Sequence, residues 1–445
     1  MNPEAPIDLG LLPSGISVEG GVAALHGIPL HALAEAFGTP LFVYDAEDIV
    51  RRANLLQQGF APGVVAYAGK AFLTTAVARL LSATPLHLDV ASGGELEIAV
   101  GAGFDPRRIH LHGNAKSEAE LEQALRHRIG RIVVDSESEL GKLAHLAQRM
   151  GVRAPVMLRV TPGVSGDTHP SIDTGTRSSK FGVDIASGAA QELIQRMEEL
   201  PSVEWFGIHA HIGSQVGSVE AFHESAATII GFAAQLAALG WAPREINVGG
   251  GFAVRYRNED VVPSLELFIP ELRRTVDLLL AEHNLDPRTN VIIEPGRALI
   301  APAALTLYRV QSTKTSGDGT RYVGIDGGMS DNPRPALYGA RYEAFLPDRV
   351  LETRPNSVSI AGKHCEQGDV LIRDGALPND VSPGDLLATP VTGAYGYSMA
   401  NNYNAALRPA VVFVDTLGAR LVRRRETVGD LLAFDTDEPY RDLLH

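Results

Sequence analysis

The chain has a single cysteine, Cys365, in 445 residues. No disulfide can close within it, which points to a reducing, cytoplasmic setting. Basic residues are also in short supply. There are 39 Lys and Arg against 53 Asp and Glu, a net charge of −14, and the basic residues are scattered. Nucleic acid and anionic membranes are poor partners for such a chain. No Lys or Arg occurs before Arg51, so a secretory signal, which needs a basic start, is not expected. No apolar stretch approaches the roughly 18 uninterrupted residues of a membrane-spanning helix. Low-complexity tracts and long linkers are missing too.

What is present is enough for large cores, since 45% of the residues are apolar. The length exceeds one ordinary core, so two domains are expected, one of them the size of a barrel of about 250 residues. Short apolar runs recur at Val64–Ala66, Leu86–Val90, Ile109–Leu111, Ile132–Val134, Val156–Val160, Phe206–Ile212, Ile246–Val248 and Val291–Ile293. The first five are about 23 residues apart. Helix-length segments with start signals lie between them. Ser117-x-x-Glu120 and Ser136-x-x-Glu139 read as capping boxes, and Ser218 and Gly240 bracket a long alanine-rich helix. Eight strand-then-helix units predict a parallel (β/α)8 barrel of TIM type over residues 46–300. A doubly wound sheet is the alternative, but no G-x-G-x-x-G follows the first strand. Beyond residue 300 apolar alternation, Gly and Pro dominate, as in Leu305–Val310, Val358–Ala361, Leu386–Val391 and Ala410–Val414. Residues 301–445, joined by 1–45, are expected to form a second, β-rich domain.

In such a barrel the chemistry lies where the strands end. Lys70 closes the first apolar run, Gly63-Val64-Val65-Ala66-Tyr67-Ala68-Gly69-Lys70. Either it snorkels to water or it is a nucleophilic lysine that forms Schiff bases. Asp89, His112, Arg159, His209, His211 and Ser214 follow other runs. Gly249-Gly250-Gly251 follows the seventh run, where barrels often bind phosphate through backbone N–H groups. Glu294 and Arg297 flank a Pro-Gly turn after the eighth, either as an ion pair on the rim or as ligands of a pyridine ring and an anion. His209 and His211, like His110 and His112, have a spacing that suits zinc ligands or an imidazole stacked on a ring. Three or four converging ligands are not visible, so no metal is assigned. Cys365 has polar neighbours, which suits a reactive thiol better than a buried one. Arg334 and Tyr338 are four apart, and on a helical turn they would face one ligand.

As an ordered set these residues resemble the fold-type III pyridoxal-phosphate decarboxylases. The pattern is nearest to members that act on meso-2,6-diaminopimelate. The resemblance runs through Tyr67-Ala68-Gly69-Lys70-Ala71, Ser92-Gly93-Gly94-Glu95-Leu96, His112-Gly113-Asn114-Ala115-Lys116-Ser117, His211-Ile212-Gly213-Ser214-Gln215, Gly249–Phe252 and Glu294-Pro295-Gly296-Arg297. It continues through Asp326-Gly327-Gly328-Met329-Ser330-Asp331, Arg334–Tyr338, Cys365-Glu366, Gly393-Ala394-Tyr395 and Asn402-Tyr403-Asn404. It implies an alanine-racemase-like barrel with a C-terminal β-sandwich or β-barrel domain, and pyridoxal 5'-phosphate as cofactor.

The resemblance also implies roles. Lys70 would carry the cofactor covalently, with Asp89 nearby and His211 stacked on the ring. Ser214, Gly250, Gly251, Gly296 and Arg297 would surround the phosphate, Glu294 would pair with the ring nitrogen, and Tyr395 would touch cofactor and substrate. Arg297, Arg334 and Tyr338 would hold the retained carboxylate, and Glu366 the distal ammonium. Cys365 would return a proton to carbon. The resemblance further implies a homodimer in which Cys365 and Glu366 come from the other subunit. The expected reaction is loss of CO2 from meso-2,6-diaminopimelate to give L-lysine. The alternative is another basic amino acid of ornithine, arginine or carboxynorspermidine type. A racemase of this scaffold would carry Arg at the place of Glu294. A metal-dependent hydrolase would use the His pairs, and a non-catalytic homologue would not need Lys70 and Cys365. Two departures bear on substrate fit: Ser171, in the His169–Gly175 segment, stands where many members have an aromatic, and Gln367 replaces a small residue.

Overall fold

All eight apolar runs are strands, and they close on themselves. In the computed structural model, which describes residues 6–164, 175 and 179–437, they are β1 (Val64–Ala68), β2 (His87–Val90), β3 (Ile109–Leu111), β4 (Arg131–Val134), β5 (Ala154–Thr161), β6 (Val203–His209), β7 (Glu245–Gly250) and β8 (Asn290–Glu294). Each is parallel to the next, and β8 returns to β1 through Ile292 opposite Val64. Every residue of β7, and all but the first of β1 and β8, is buried, as expected for strands packed on both faces. The sixth strand ends at His209, so Ala210–Ile212, expected as strand, lie in the loop beyond it.

The helices between strands start where the polar signals put them. Ser117 and Glu120 form a complete capping box on the Glu118–His127 helix. At Ser136 only half of the expected box forms. Ser136 accepts the Glu139 N–H at 3.3 Å, but the Glu139 carboxylate turns inward to Lys116 Nζ at 2.8 Å. A buried lysine needs that partner more than the helix end does. Ser218 caps the helix Val219–Ala238. The barrel unit comprises Ala46–Ala303 and also Gly393–Ser398.

The other unit comprises the N-terminal residues to Asp45, Ala304–Thr392 and the chain from Met399 onward. Its main sheet is built around Ala304–Thr315, which pairs antiparallel with Leu41–Asp45, Arg321–Ile325 and Leu386–Pro390. Leu41–Asp45 is buried at every position and lies parallel to Ala410–Asp415. Asn356–Ala361, Val370–Leu377 and Gly418–Arg423 extend the sheet. A separate three-stranded sheet spans Ile16–Glu19, Val22–Leu25 and Ile28–Pro29. Among the described residues no helix is long and apolar enough to cross a membrane.

Candidate active site

The eight parallel strands deliver their C-terminal ends to one mouth. β1 stops at Ala68, and Lys70 occupies the 3-10 turn Gly69–Ala71 that follows. Its side chain is exposed rather than held at a buried strand end. The turn is fastened by the Ala71 carbonyl, which accepts from the Tyr395 N–H and the Ser398 hydroxyl, both at 2.9 Å. Tyr395 has a φ of +59°. A bulky residue in the left-handed region costs on the order of 1 kcal/mol or more, and such strain collects at functional sites.

Glu294 ends β8 inside the mouth and is buried. His209 Nε2 lies 3.1 Å from its Oε2, and Asn247 Nδ2 donates to Oε1 at 2.6 Å. His112 Nε2 lies 3.2 Å from Oε1. Burial alone would raise the Glu294 pKa. The facing His209 and His112, the His209 hydrogen bond and His211 outweigh it and hold the carboxyl well below its usual range. Burial pushes His209 down to about 4 against the pull of Glu294. The arrangement is therefore a neutral imidazole donating to a fixed anion. Asp89, buried on β2, lies 3.4 Å from both His110 Nδ1 and His112 Nε2.

The glycine turn begins at the end of β7. Gly249 and Gly251 have φ of +75° and +101°, where glycine alone is relaxed. The Gly250 N–H donates to His211 Nδ1 at 3.2 Å. Burial, with Lys70 and Arg159 nearby, drives the His211 pKa well below the imidazole range, so the ring is neutral, and the Gly250 N–H marks Nδ1 as the accepting nitrogen. Arg297 opens the short helix Arg297–Ile300, with Gly296 as the residue before it. Its Nη2 donates to Ser214 Oγ at 2.8 Å and its Nη1 to Tyr256 Oη at 2.6 Å. The guanidinium sits 4.9 Å from the centre of the Tyr395 ring. Glu294 and Arg297 thus point to different partners, and the rim ion pair that their spacing allowed does not form.

The histidine pairs also divide. His209 faces Glu294 while His211 faces Gly250, so the two do not converge on one ion. Among the described residues, Asp89/His110/His112 and His112/His209/Glu294 bring their donor atoms within 4.8 Å of one another. Both groupings surround the Glu294 carboxylate or adjoin it.

In the other unit, Arg334 and Tyr338 do fall on one helix, Arg334–Tyr338, with Arg334 buried and donating to the Tyr342 hydroxyl. Cys365 and Glu366 are exposed, as is Gln367. The Cys365 N–H donates to Asn404 Oδ1 at 3.2 Å. His364, buried beside it, lies 2.8 Å from Ser330 Oγ and 3.3 Å from Asn404 Oδ1. Asp369 accepts the Met329 and His364 N–H groups at 2.6 and 2.8 Å. The Asp326–Asp331 and Asn402–Asn404 motifs therefore hold the Cys365 loop. Ser171 lies outside the described residues.

Sequence reasoning did not single out Asn247 or Tyr256. Asn247 left a signal, a lone amide inside the apolar run Ile246-Asn247-Val248, because a buried polar group must find partners. Tyr256 left none.

The residues present suit a phosphorylated pyridine. There is a turn in which backbone replaces side chains, an Arg–Ser pair beside it, and a buried carboxylate fixed as an anion that can hold a ring N–H. Residues 46–301 match the family model described as the pyridoxal binding domain of pyridoxal-dependent decarboxylases. A diaminopimelate decarboxylase of Bacillus subtilis is 45% identical over 421 residues, covering 94% of each chain. That of Mycobacterium tuberculosis is 42% identical over 431 residues, 94% of this chain and 95% of the relative. The crystal structure of diaminopimelate decarboxylase from M. jannaschii in co-complex with L-lysine superposes with a TM-score of 0.89 at 35% identity, over 97% of this chain and 100% of that one.

Proposed function

The chain belongs to the pyridoxal-dependent decarboxylase family, and on that premise we propose that it decarboxylates meso-2,6-diaminopimelate to L-lysine. The observation that carries the chemistry is the buried Glu294, held as an anion by His209 and Asn247 at the barrel mouth. Pyridoxal 5'-phosphate, when bound, supplies an electron sink that stabilises the carbon left by departing CO2. Glu294 would hold the ring nitrogen protonated, and His211, kept neutral, would lie against the ring, with Asp89 nearby. Gly250, Gly251, Gly296, Ser214 and Arg297 would hold the phosphate, and Lys70 would bind the cofactor through its amine. Tyr395 packs beside Arg297 and borders cofactor and substrate.

Arg297, Arg334 and Tyr338 hold the retained carboxylate, and Glu366 pairs with the distal ammonium. As CO2 leaves, its bonding electron pair stays on carbon. The Cys365 thiol gives that carbon a proton and recovers one from water. We take Cys365 and Glu366 to be supplied by a second copy of the chain in a homodimer, in a cytoplasmic setting. Their exposure in a single chain agrees with that. No resident metal is assigned, because the histidine–carboxylate groupings serve Glu294.

Carbon dioxide release from meso-2,6-diaminopimelate and from ornithine tests the substrate. A site with a charged partner for the second carboxylate discriminates by a factor on the order of 10⁴ against an analogue lacking it. Preference for ornithine would overturn the assignment.

A further inference from the structure

Asn247 is fully buried on β7, opposite His209 of β6 and Ile292 of β8. Its amide is used at both ends. Nδ2 donates to Glu294 Oε1 at 2.6 Å, and Oδ1 accepts the Gly249 N–H at 2.9 Å. Gly249 is the first left-handed residue of the turn, and the next N–H, that of Gly250, goes to His211. The β7–β8 ladder is interrupted between Asn247 and Gly250 and resumes at Gly250 opposite Glu294. The interruption frees the Gly249 N–H from the ladder, and the Asn247 side chain takes its place. One amide therefore ties the carboxylate that would meet the ring nitrogen to the turn that would meet the phosphate.

We propose that Asn247 is a positioning residue that sets Glu294 and the Gly249–Gly251 turn in one register, so that the two ends of the pyridoxal-phosphate site are fixed together. The inference rests on the functional reading above. The geometry requires a donor on one side and an acceptor on the other, and the two ends of one amide supply both. An Asp here would set a second carboxylate against Glu294. Like charges at that range share a proton, and the pair then titrates as one unit. The charged and titratable groups around Glu294 include Asp89 on β2 through His112, His112 after β3, Arg159 on β5, His209 on β6 and His211 beyond it.

The test uses the full-length protein freed of cofactor, with Asn247→Asp and Asn247→Leu beside wild type. Dissociation constants for pyridoxal phosphate, and for its analogue with C–H in place of the ring nitrogen, are measured by fluorescence quenching, with melting temperature alongside. Wild type binding pyridoxal phosphate tightly supports the functional reading by itself, and failure there overturns that reading rather than this one. Given binding, both variants should lose about 10- to 100-fold in affinity for pyridoxal phosphate, the range for a hydrogen bond to a charged group. Asn247→Asp, which keeps an acceptor for the Gly249 N–H, should lose much less for the analogue, whereas Asn247→Leu, which loses both contacts, should weaken both ligands. In Asn247→Asp the visible absorbance of bound cofactor should become pH-dependent between roughly pH 6 and 9 where wild type is flat. Unchanged affinity with a flat profile would overturn the proposal. So would equal losses for the two ligands in Asn247→Asp, which a merely structural role predicts. If Asn247→Leu does not fold, Asn247→Asp, nearly identical in shape, decides alone.

Discussion

Adding one methyl group at Gly250 should cost more than its size suggests. A Cβ built there would lie 1.9 Å from the Glu294 carbonyl oxygen and 2.6 Å from its carbonyl carbon. Side-chain Cβ atoms essentially never come within 3.0 Å of a neighbour, so at least 1.1 Å of movement is needed. The obstacle is backbone, and no rotamer can relieve it. Gly→Ala at a compatible site gains about 0.4–1 kcal/mol from the unfolded chain. Overpacking costs about 1–3 kcal/mol, so the loss prevails. Spread over a unit of this size, the melting temperature of Gly250→Ala should fall by roughly 2–10 °C.

Function should suffer more than stability. Gly250 is paired with Glu294 itself, so the movement falls on the carboxylate proposed to hold the ring nitrogen. A misplacement of about 1 Å can cost on the order of 10² in rate. Melting curves, cofactor titration and turnover are compared with Gly217→Ala, where nothing lies within 4 Å of the added methyl. If Gly250→Ala matched that control in all three, the close approach of β7 to β8 would not be what sets the site.

Lys70→Ala should abolish borohydride-reducible attachment of the cofactor together with turnover, and a variant that keeps both would refute the covalent role. Lys70→Ala and Cys365→Ala refolded together should regain about a quarter of wild-type activity, since half of randomly paired dimers are mixed and each mixed dimer has one whole site. Recovery absent in dimers shown by mass to be mixed would exclude a site shared between subunits. Burial lifts the Asp331 carboxyl to about 7, against hydrogen bonds from Tyr308 and Gly328. A folded pKa above the unfolded value of 3.8 gives stability that is complete below that value and is lost progressively as pH rises from there to about 7. Asp331→Asn cannot ionise, so its melting temperature should gain on wild type from roughly pH 4 to pH 7 and hold level above that. A constant difference across that window would contradict the reasoning.

The sequence by itself determined the elements and their order. Apolar runs about 23 residues apart, helix caps and three consecutive glycines are signals within a few neighbours, and each marks a strand, a helix start or a turn in the structure. A lysine one turn past β1 and a carboxylate at the tip of β8 were visible for the same reason. Convergence was decided only by tertiary structure. Val64 meets Ile292 to close the barrel, and that closure places His209, Asn247 and His112 around Glu294. It also turned Arg297 toward Ser214 and Tyr256 instead of Glu294, and left Lys70 exposed in a turn. Leu41–Asp45 reads locally as any short apolar strand, yet it is buried between Ala304–Thr315 and Ala410–Asp415. Which groups meet across a barrel or a sheet depends on strand register, and a one-residue slip would turn every side chain to the other face. Register is settled by packing and hydrogen bonds among residues far apart in the chain, and spacing within a strand carries no record of it.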